Sequence, residues 1–187
     1  MAQAEIQEIF CKTLLNRVDV PDFAFRWTLK PYRGCQYACR YCYARPTHEF
    51  WDMNAGDEFD HRVFAKINAP EVLRGELRRN KWQGDPIVIG TASDSYEPAE
   101  SKYQLTRKII QVLAEFQNPA SIATKGVLVQ RGVDVLWGLY RLADVQIIFS
   151  VGSIDEKTWK LTEPGTPNPM ARLERCSFCW KTAFRLG

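Results

Sequence analysis

Short apolar runs recur along the chain and are separated by amphipathic segments. The runs PIVIG at 86–90, SIAT at 121–124 and VQIIFSV at 145–151 are apolar throughout or nearly so. Runs of this length and character are typical of strands buried in a parallel sheet. An alternating, aromatic-rich stretch at 23–29 predicts one strand before them. The pattern therefore predicts four strands in succession.

Helical spacing fills the intervals between these strands. A helix start is indicated at 68–70, apolar residues recur at helical spacing over 102–117 and again over 133–140, and a further helix is predicted to begin at 169. Strands that alternate with helices form successive βαβ units. The sequence therefore predicts an α/β fold with a parallel sheet, arranged either as a barrel or as a doubly wound sheet.

Composition and charge narrow the class of protein. The chain has 187 residues, of which 45% are hydrophobic and 12% aromatic, so a single domain with a buried core is expected and a disordered or collagen-like chain is excluded. The net charge of +3 permits contact with nucleic acid but does not by itself support it. Because no apolar run is long enough for a membrane helix and the first ten residues lack the order of a signal peptide, we predict a cytoplasmic protein.

Three of the six cysteines form a motif. Cys35, Cys39 and Cys42 follow the spacing C-x-x-x-C-x-x-C on a loop at the exit of the first predicted strand. Three thiolates suit a [4Fe–4S] cube that keeps one iron free to chelate a small molecule. The alternative is a zinc site, which needs a fourth ligand such as His48 or a cysteine of the tail.

Four stretches of the chain resemble one enzyme superfamily. PYRGCQYACRYCYARPTHEF, GTASDSYEP, ATKGVLVQRGVDVL and EPGTP together resemble the radical S-adenosylmethionine (radical SAM) superfamily, in the branch related to spore photoproduct lyase and DNA repair photolyase-like proteins. The resemblance runs from about residue 26 to about residue 173. It implies a (β/α) barrel of the radical SAM type. Since the superfamily core has six βα units and about four are predicted here, we expect a partial, C-terminally truncated barrel.

The resemblance also implies the chemistry. The free iron of the [4Fe–4S] cluster would bind S-adenosylmethionine, and one electron from a reductant such as flavodoxin or ferredoxin would cleave it. Methionine and a 5′-deoxyadenosyl radical result, and the radical abstracts hydrogen from a substrate that the sequence does not identify. Spore photoproduct lyase carries a hydrogen-donating cysteine where Thr91 stands here. Lyase activity on thymine photodimers is therefore not expected.

Positions at the ends of the predicted strands match cofactor contacts of the family. By resemblance, Ser93 contacts the methionine half of the cofactor, Lys125 meets its carboxylate and Ser150 meets its ribose, while Tyr41 shields the cluster. In parallel β/α folds ligands do bind at the carboxyl ends of strands. The structural alternatives are that Ser93 and Asp94 cap a turn and that Lys125 is a solvated charge.

The ends of the chain are predicted to differ from the core. We divide the sequence into an N-terminal extension (1–22), an incomplete radical SAM core (23–174) and an aberrant tail (175–187). The run FCWK at 178–181 is encoded by TTY-TGY-TGG-AAR, which encodes Leu-Leu-Glu in a shifted frame, so we interpret the tail as a frameshift product that the gene sequence can test.

Two other functions remain open alongside the enzyme. The chain is either a radical SAM enzyme, a truncated and catalytically inactive cluster-binding protein, or a zinc-stabilised binding module. In the tail, Cys176 and Cys179 supply only two ligands, and Cys11 has no partner in the motif.

Overall fold

The computed structural model describes residues 4–23 and 25–185. Within these ranges the chain forms eight strands, seven α-helices and two 3₁₀ segments. The strands are β1 (Glu5–Ile9), β2 (Asn16–Arg17), β3 (Trp27–Leu29), β4 (Tyr32–Arg33), β5 (Arg62–Lys66), β6 (Ile87–Ile89), β7 (Ala120–Thr124) and β8 (Val145–Phe149). The helices are α1 (Asp57–His61), α2 (Ala69–Leu77), α3 (Glu100–Tyr103), α4 (Leu105–Glu115), α5 (Val133–Tyr140), α6 (Glu156–Thr162) and α7 (Pro169–Arg185). The 3₁₀ segments are Arg45–Trp51 and Val127–Gly132.

The larger sheet has the strand order β2-β3-β6-β7-β8. Strands β3, β6, β7 and β8 are parallel, and β2 joins antiparallel to β3. All four predicted strands are therefore confirmed as neighbours in one parallel sheet. The first of them, β3, is shorter than predicted, since it begins at Trp27 and leaves Phe23 and Phe25 outside the strand. Phe23 is exposed, and Ala24 lies outside the described residues.

Three predicted helices cover this sheet. Helix α2 contacts α4, and α4 contacts α5, so the helices follow the order of the strands along one side. The predicted stripe of α4 is buried at Leu105, Ile109 and Leu113. Among the described residues the sheet ends at β2 and β8 and does not close on itself.

A second, three-stranded sheet was not predicted. Its order is β1-β5-β4, with β1 parallel and β4 antiparallel to β5. Strands β1 and β4 read EIQEI and YR, which are too polar or too short to show a strand pattern. Strand β5 reads RVFAK, and its apolar, buried centre was the signal available for this sheet. The inner face of this sheet is formed by Tyr32, Val63 and Ala65, which are buried in one cluster with Leu105 of α4. The described part of the predicted N-terminal extension thus supplies β1 to this sheet and β2 to the other.

The chain after β8 contains two helices where one was predicted. Helix α6 precedes α7, and the Asp155 side chain caps α6 by accepting a hydrogen bond of 2.8 Å from Thr158 N. Helix α7 continues past Glu174 to Arg185, so residues 175–185 of the predicted tail are helical. Residues 186 and 187 of the predicted tail lie outside the described residues. The frameshift interpretation concerns the gene and stays a prediction.

None of the described helices combines the length and the apolar character needed to cross a membrane.

Candidate functional site

A glycine sets the start of the cysteine loop, which we define as residues 35–42. Gly34 has φ +78°, and a Cβ at this position would lie 2.3 Å from the carbonyl oxygen of Arg62. No other residue fits there without moving the backbone. The next residue, Cys35, is buried and donates its N–H to Phe59 O at 3.0 Å. The close approach of Gly34 to the end of α1 and the start of β5 therefore fixes where the loop begins.

Two tight turns fold the loop back on itself. Ala38 N donates to Cys35 O and Cys42 N donates to Cys39 O, each at 3.2 Å. The three cysteines consequently share one small apolar cluster. Its other members are Tyr37, Ala44, Phe59 and Ala92. The motif read from spacing is therefore also a cluster in space.

Burial raises the pKa of two thiols of the loop, those of Cys35 and Cys39. Burial raises the pKa of Cys39 to about 11. Burial, and then the nearby carboxylates of Glu97 and Asp94, raise the pKa of Cys35 well above its usual range. A metal that binds these sulfurs must therefore displace their protons, as is usual for thiolate ligands.

The loop does not form a mononuclear site as it stands. In the part of the chain that the structure describes, no three His, Cys, Asp or Glu side chains are placed to hold one metal ion. Thiolates that share one zinc lie within about 4.6 Å of each other, since each Zn–S bond is about 2.3 Å. In a [4Fe–4S] cube each thiolate binds a different iron. A cube therefore does not require three sulfurs to converge on one point.

Residues of the strand ends lie beside this loop. The carboxyl ends of β6, β7 and β8 meet at one edge of the sheet, where Lys125 and Ser150 directly follow β7 and β8 and Ser93 lies in the loop after β6. Lys125 Nζ donates to Ser150 Oγ at 2.7 Å and lies 5.8 Å from the centre of the Tyr41 ring. The structure therefore brings Tyr41, Lys125 and Ser150 together. Ser93 contacts the residue that precedes the loop, since its hydroxyl donates to Gly34 O at 2.8 Å.

Asp94 joins two of these strand ends. Its carboxylate accepts hydrogen bonds from Thr124 Oγ1 and Lys125 N, both at 2.6 Å, and from Tyr96 N at 2.8 Å. Burial raises the pKa of Asp94, and these hydrogen bonds oppose that rise. Asp94 thus does more than cap a turn, because it fixes the backbone at Lys125.

Two residues of the site were missed in the sequence. Glu163 and Arg172 have exposures of 2% and 0% and form an ion pair of 2.7 Å. Glu163 also accepts the Tyr41 hydroxyl hydrogen bond. Glu163 belongs to the EPGTP stretch of the resemblance, which was the available signal. No periodicity points to it, because it lies in a loop between α6 and α7.

Other candidates take structural roles. Arg45 pairs with Asp60 at 2.8 Å and donates to Cys39 O at 3.1 Å, so it braces the loop. His48 is buried with its ring 5.0 Å from that of Phe59, and burial lowers its pKa. All six cysteines are free thiols, and Cys11 and Cys179 pack partly against the main core.

Comparisons with known proteins give relatives of unknown function. The chain is 42% identical over 167 residues to an uncharacterized protein of Mycobacterium tuberculosis, covering 89% of this chain and 49% of that protein. It is 27% identical over 173 residues to an uncharacterized protein of Methanocaldococcus jannaschii, covering 92% of this chain and 61% of that protein. The chain thus spans about half the length of the mycobacterial relative. No protein-family model matches it.

One solved structure has a similar fold. A cysteine-to-serine mutant of spore photoproduct lyase superposes with a TM-score of 0.66 at 16% sequence identity. The match covers 95% of this chain and 48% of the lyase chain. The fold is thus a mixed α/β fold like that of spore photoproduct lyase.

Proposed function

We propose that this chain is an iron–sulfur protein of the radical SAM type that cleaves S-adenosylmethionine reductively. The observation that carries the proposal is the placement of the cysteine loop beside Lys125 and Ser150, at the carboxyl edge of a parallel sheet. The likeness in fold to spore photoproduct lyase supports it. In this proposal the larger sheet is part of a (β/α) barrel wall.

Each residue of the site has a chemical role in this proposal. Cys35, Cys39 and Cys42 hold a [4Fe–4S] cluster, which together with S-adenosylmethionine supplies one-electron cleavage when bound. Lys125 binds the cofactor carboxylate through its ammonium group. The aromatic ring of Tyr41 shields the cluster from water.

The two serines are suited to opposite ends of the cofactor. Ser93 already donates its proton to Gly34 O, so its oxygen lone pairs remain free to accept from the ammonium of the methionine half. Ser150 Oγ accepts from Lys125 Nζ, which leaves its own O–H to donate to a ribose oxygen. The hydrogen bonds present thus leave Ser93 as an acceptor for an ammonium donor and Ser150 as a donor for a ribose acceptor.

The proposal also includes an electron donor and a cytoplasmic location. A low-potential electron donor such as flavodoxin or ferredoxin would reduce the cluster, and the cytoplasm would keep its thiolates reduced. The substrate class stays open. The backbone oxygen of Thr91 accepts a hydrogen bond from the Tyr43 hydroxyl, which places Thr91 beside the residue that follows the cysteine loop. The side-chain O–H of a threonine is a poor hydrogen-atom donor, so repair of thymine photodimers is not part of the proposal.

Anaerobic reconstitution with iron and sulfide tests the metal centre. We expect about four irons and four sulfides per chain, since three thiolates and a free iron position complete a [4Fe–4S] cube. The measurement is elemental analysis for iron, sulfide and zinc on the purified protein. One zinc per chain with no uptake of iron would contradict the proposal and favour a zinc-stabilised binding module.

A further inference from the structure

Glu163 lies where three segments of the site meet. Its Oε1 accepts the hydrogen bond of Tyr41 from the cysteine loop and lies 3.8 Å from Lys125 Nζ at the end of β7. Its Oε2 pairs with Arg172 of α7 at 2.7 Å. At 2% exposure this carboxylate is far more buried than carboxylates usually are. One buried group therefore contacts both the loop and the lysine assigned to the cofactor.

The backbone around Glu163 is held against the cysteine loop on both sides. Arg40 N donates to Thr162 O at 2.9 Å, and Gly165 N donates to Tyr37 O at 3.1 Å. A Cβ at Gly165 would lie 2.2 Å from Gln36 O, so only glycine permits this approach. Residues 162–165 thus form a brace whose position is set by the loop itself.

Arg172 fixes the orientation of the carboxylate. It is fully buried, and besides the ion pair it donates to Pro167 O at 2.9 Å, Ser150 O at 3.0 Å and Thr166 Oγ1 at 2.5 Å. Because Arg172 takes Oε2, the other oxygen of Glu163 is left to face Tyr41 and Lys125. A buried ion pair is weak evidence of stabilisation, since apolar replacements are often as stable. Its location therefore calls for a role beyond stability.

We propose that Glu163 is a positioning residue for the cofactor, an inference that rests on the proposed function. It holds the Lys125 ammonium between its own carboxylate and Ser150 Oγ, and it ties Tyr41 to the same point. Two cations, Lys125 and Arg172, share the single negative charge of Glu163. Arg172 lies 2.7 Å from Glu163, whereas Lys125 Nζ lies 3.8 Å from it, so the Lys125 ammonium is the less closely paired of the two cations and can attract the carboxylate of S-adenosylmethionine.

The variant Glu163→Gln tests this role, because it keeps the shape and an acceptor but removes the charge. On reconstituted, reduced protein, the change of the cluster's electron paramagnetic resonance signal on addition of S-adenosylmethionine gives a dissociation constant. We expect iron content equal to wild type and binding weakened roughly tenfold, as for outer-shell partners of metal sites. The matched control is Glu115→Gln, which removes the carboxylate of the exposed pair with Arg74 and is expected to bind like wild type.

A double-mutant cycle separates positioning from a structural role. If Glu163 acts through Lys125, then Glu163→Gln adds little further weakening in a Lys125→Met background. Tyr41→Phe supplies a variant that leaves the buried ion pair intact, and it is expected to weaken cofactor binding with unchanged thermal stability.

The outcomes distinguish the two proposals. Wild-type affinity in both Glu163→Gln and Tyr41→Phe, or full additivity in the cycle, would overturn the positioning role while leaving the proposed function standing. Absence of any spectral response to S-adenosylmethionine in the wild type would overturn the proposed function and this inference with it.

Discussion

Replacing Cys39 with alanine is expected to abolish assembly of the cluster. Cys39 is the middle thiol of the motif and shares one apolar cluster with Cys35 and Cys42. Its removal leaves two thiolates, which is one fewer than the proposed cube requires. We expect the broad absorbance near about 400 nm that marks iron–sulfur proteins to be lost, and iron to fall to background after anaerobic reconstitution.

The tail offers a matched control for this variant. Cys176 is an exposed thiol on α7, outside the cluster that contains the loop cysteines. Cys176→Ala is expected to retain both the absorbance and the iron content of the wild type. If Cys39→Ala kept its absorbance while Cys176→Ala lost it, the site would have to be moved to the tail.

Replacing Arg172 with methionine is expected to cause the largest loss of stability. Arg172 is fully buried, and methionine would leave the Glu163 carboxylate buried without its arginine. Removing one partner of a buried ion pair typically costs about 3–5 kcal/mol, because the remaining charge is uncompensated. Three further acceptors, Pro167 O, Ser150 O and Thr166 Oγ1, would also lose the hydrogen bond from Arg172. The free energy of unfolding from urea denaturation measures the effect.

An exposed ion pair provides the comparison. Arg74 pairs with Glu115 at 2.8 Å, with side-chain exposures of 30% and 48%. Arg74→Met is expected to cost no more than about 1 kcal/mol, since exposed pairs are screened by water. Equal losses in the free energy of unfolding for Arg172→Met and Arg74→Met would contradict this prediction, because they would show that the buried ion pair stabilises the fold no more than the exposed one.

The parallel sheet was predictable because its strands are short apolar runs, and the central strands β6 and β7 are largely buried. Ile87 and Ile89 of β6 and Ile122 of β7 are fully buried, so these runs are apolar in sequence as well as in structure. The helices between them could be predicted for a related reason, because each buries a single stripe against the sheet. The three-stranded sheet could not, since β1 and β4 are held by partners elsewhere in the chain, and their own residues show no apolar pattern.

In the candidate site too, residues that are close in sequence were predictable, and residues joined only by long-range contacts were not. Cys35, Cys39 and Cys42 lie within one loop, so their spacing in sequence already indicates their proximity in space. The contact between Tyr41 and Glu163 joins residues 122 positions apart, and local pattern contains no information about it. Lys125 and Ser150 are also distant in sequence, but each follows a strand of the parallel sheet. Because the carboxyl ends of parallel strands meet at one edge, their proximity could be predicted without a local motif.

The formation of 5′-deoxyadenosine tests the central claim most directly. Reconstituted protein is reduced with dithionite in the presence of S-adenosylmethionine, and the nucleoside is quantified by mass spectrometry against the Cys39→Ala variant. The account predicts 5′-deoxyadenosine and methionine from the wild type and neither from the variant. A wild-type protein that carries its cluster yet yields no more 5′-deoxyadenosine than Cys39→Ala would contradict it and leave a cluster-binding protein without cleavage activity.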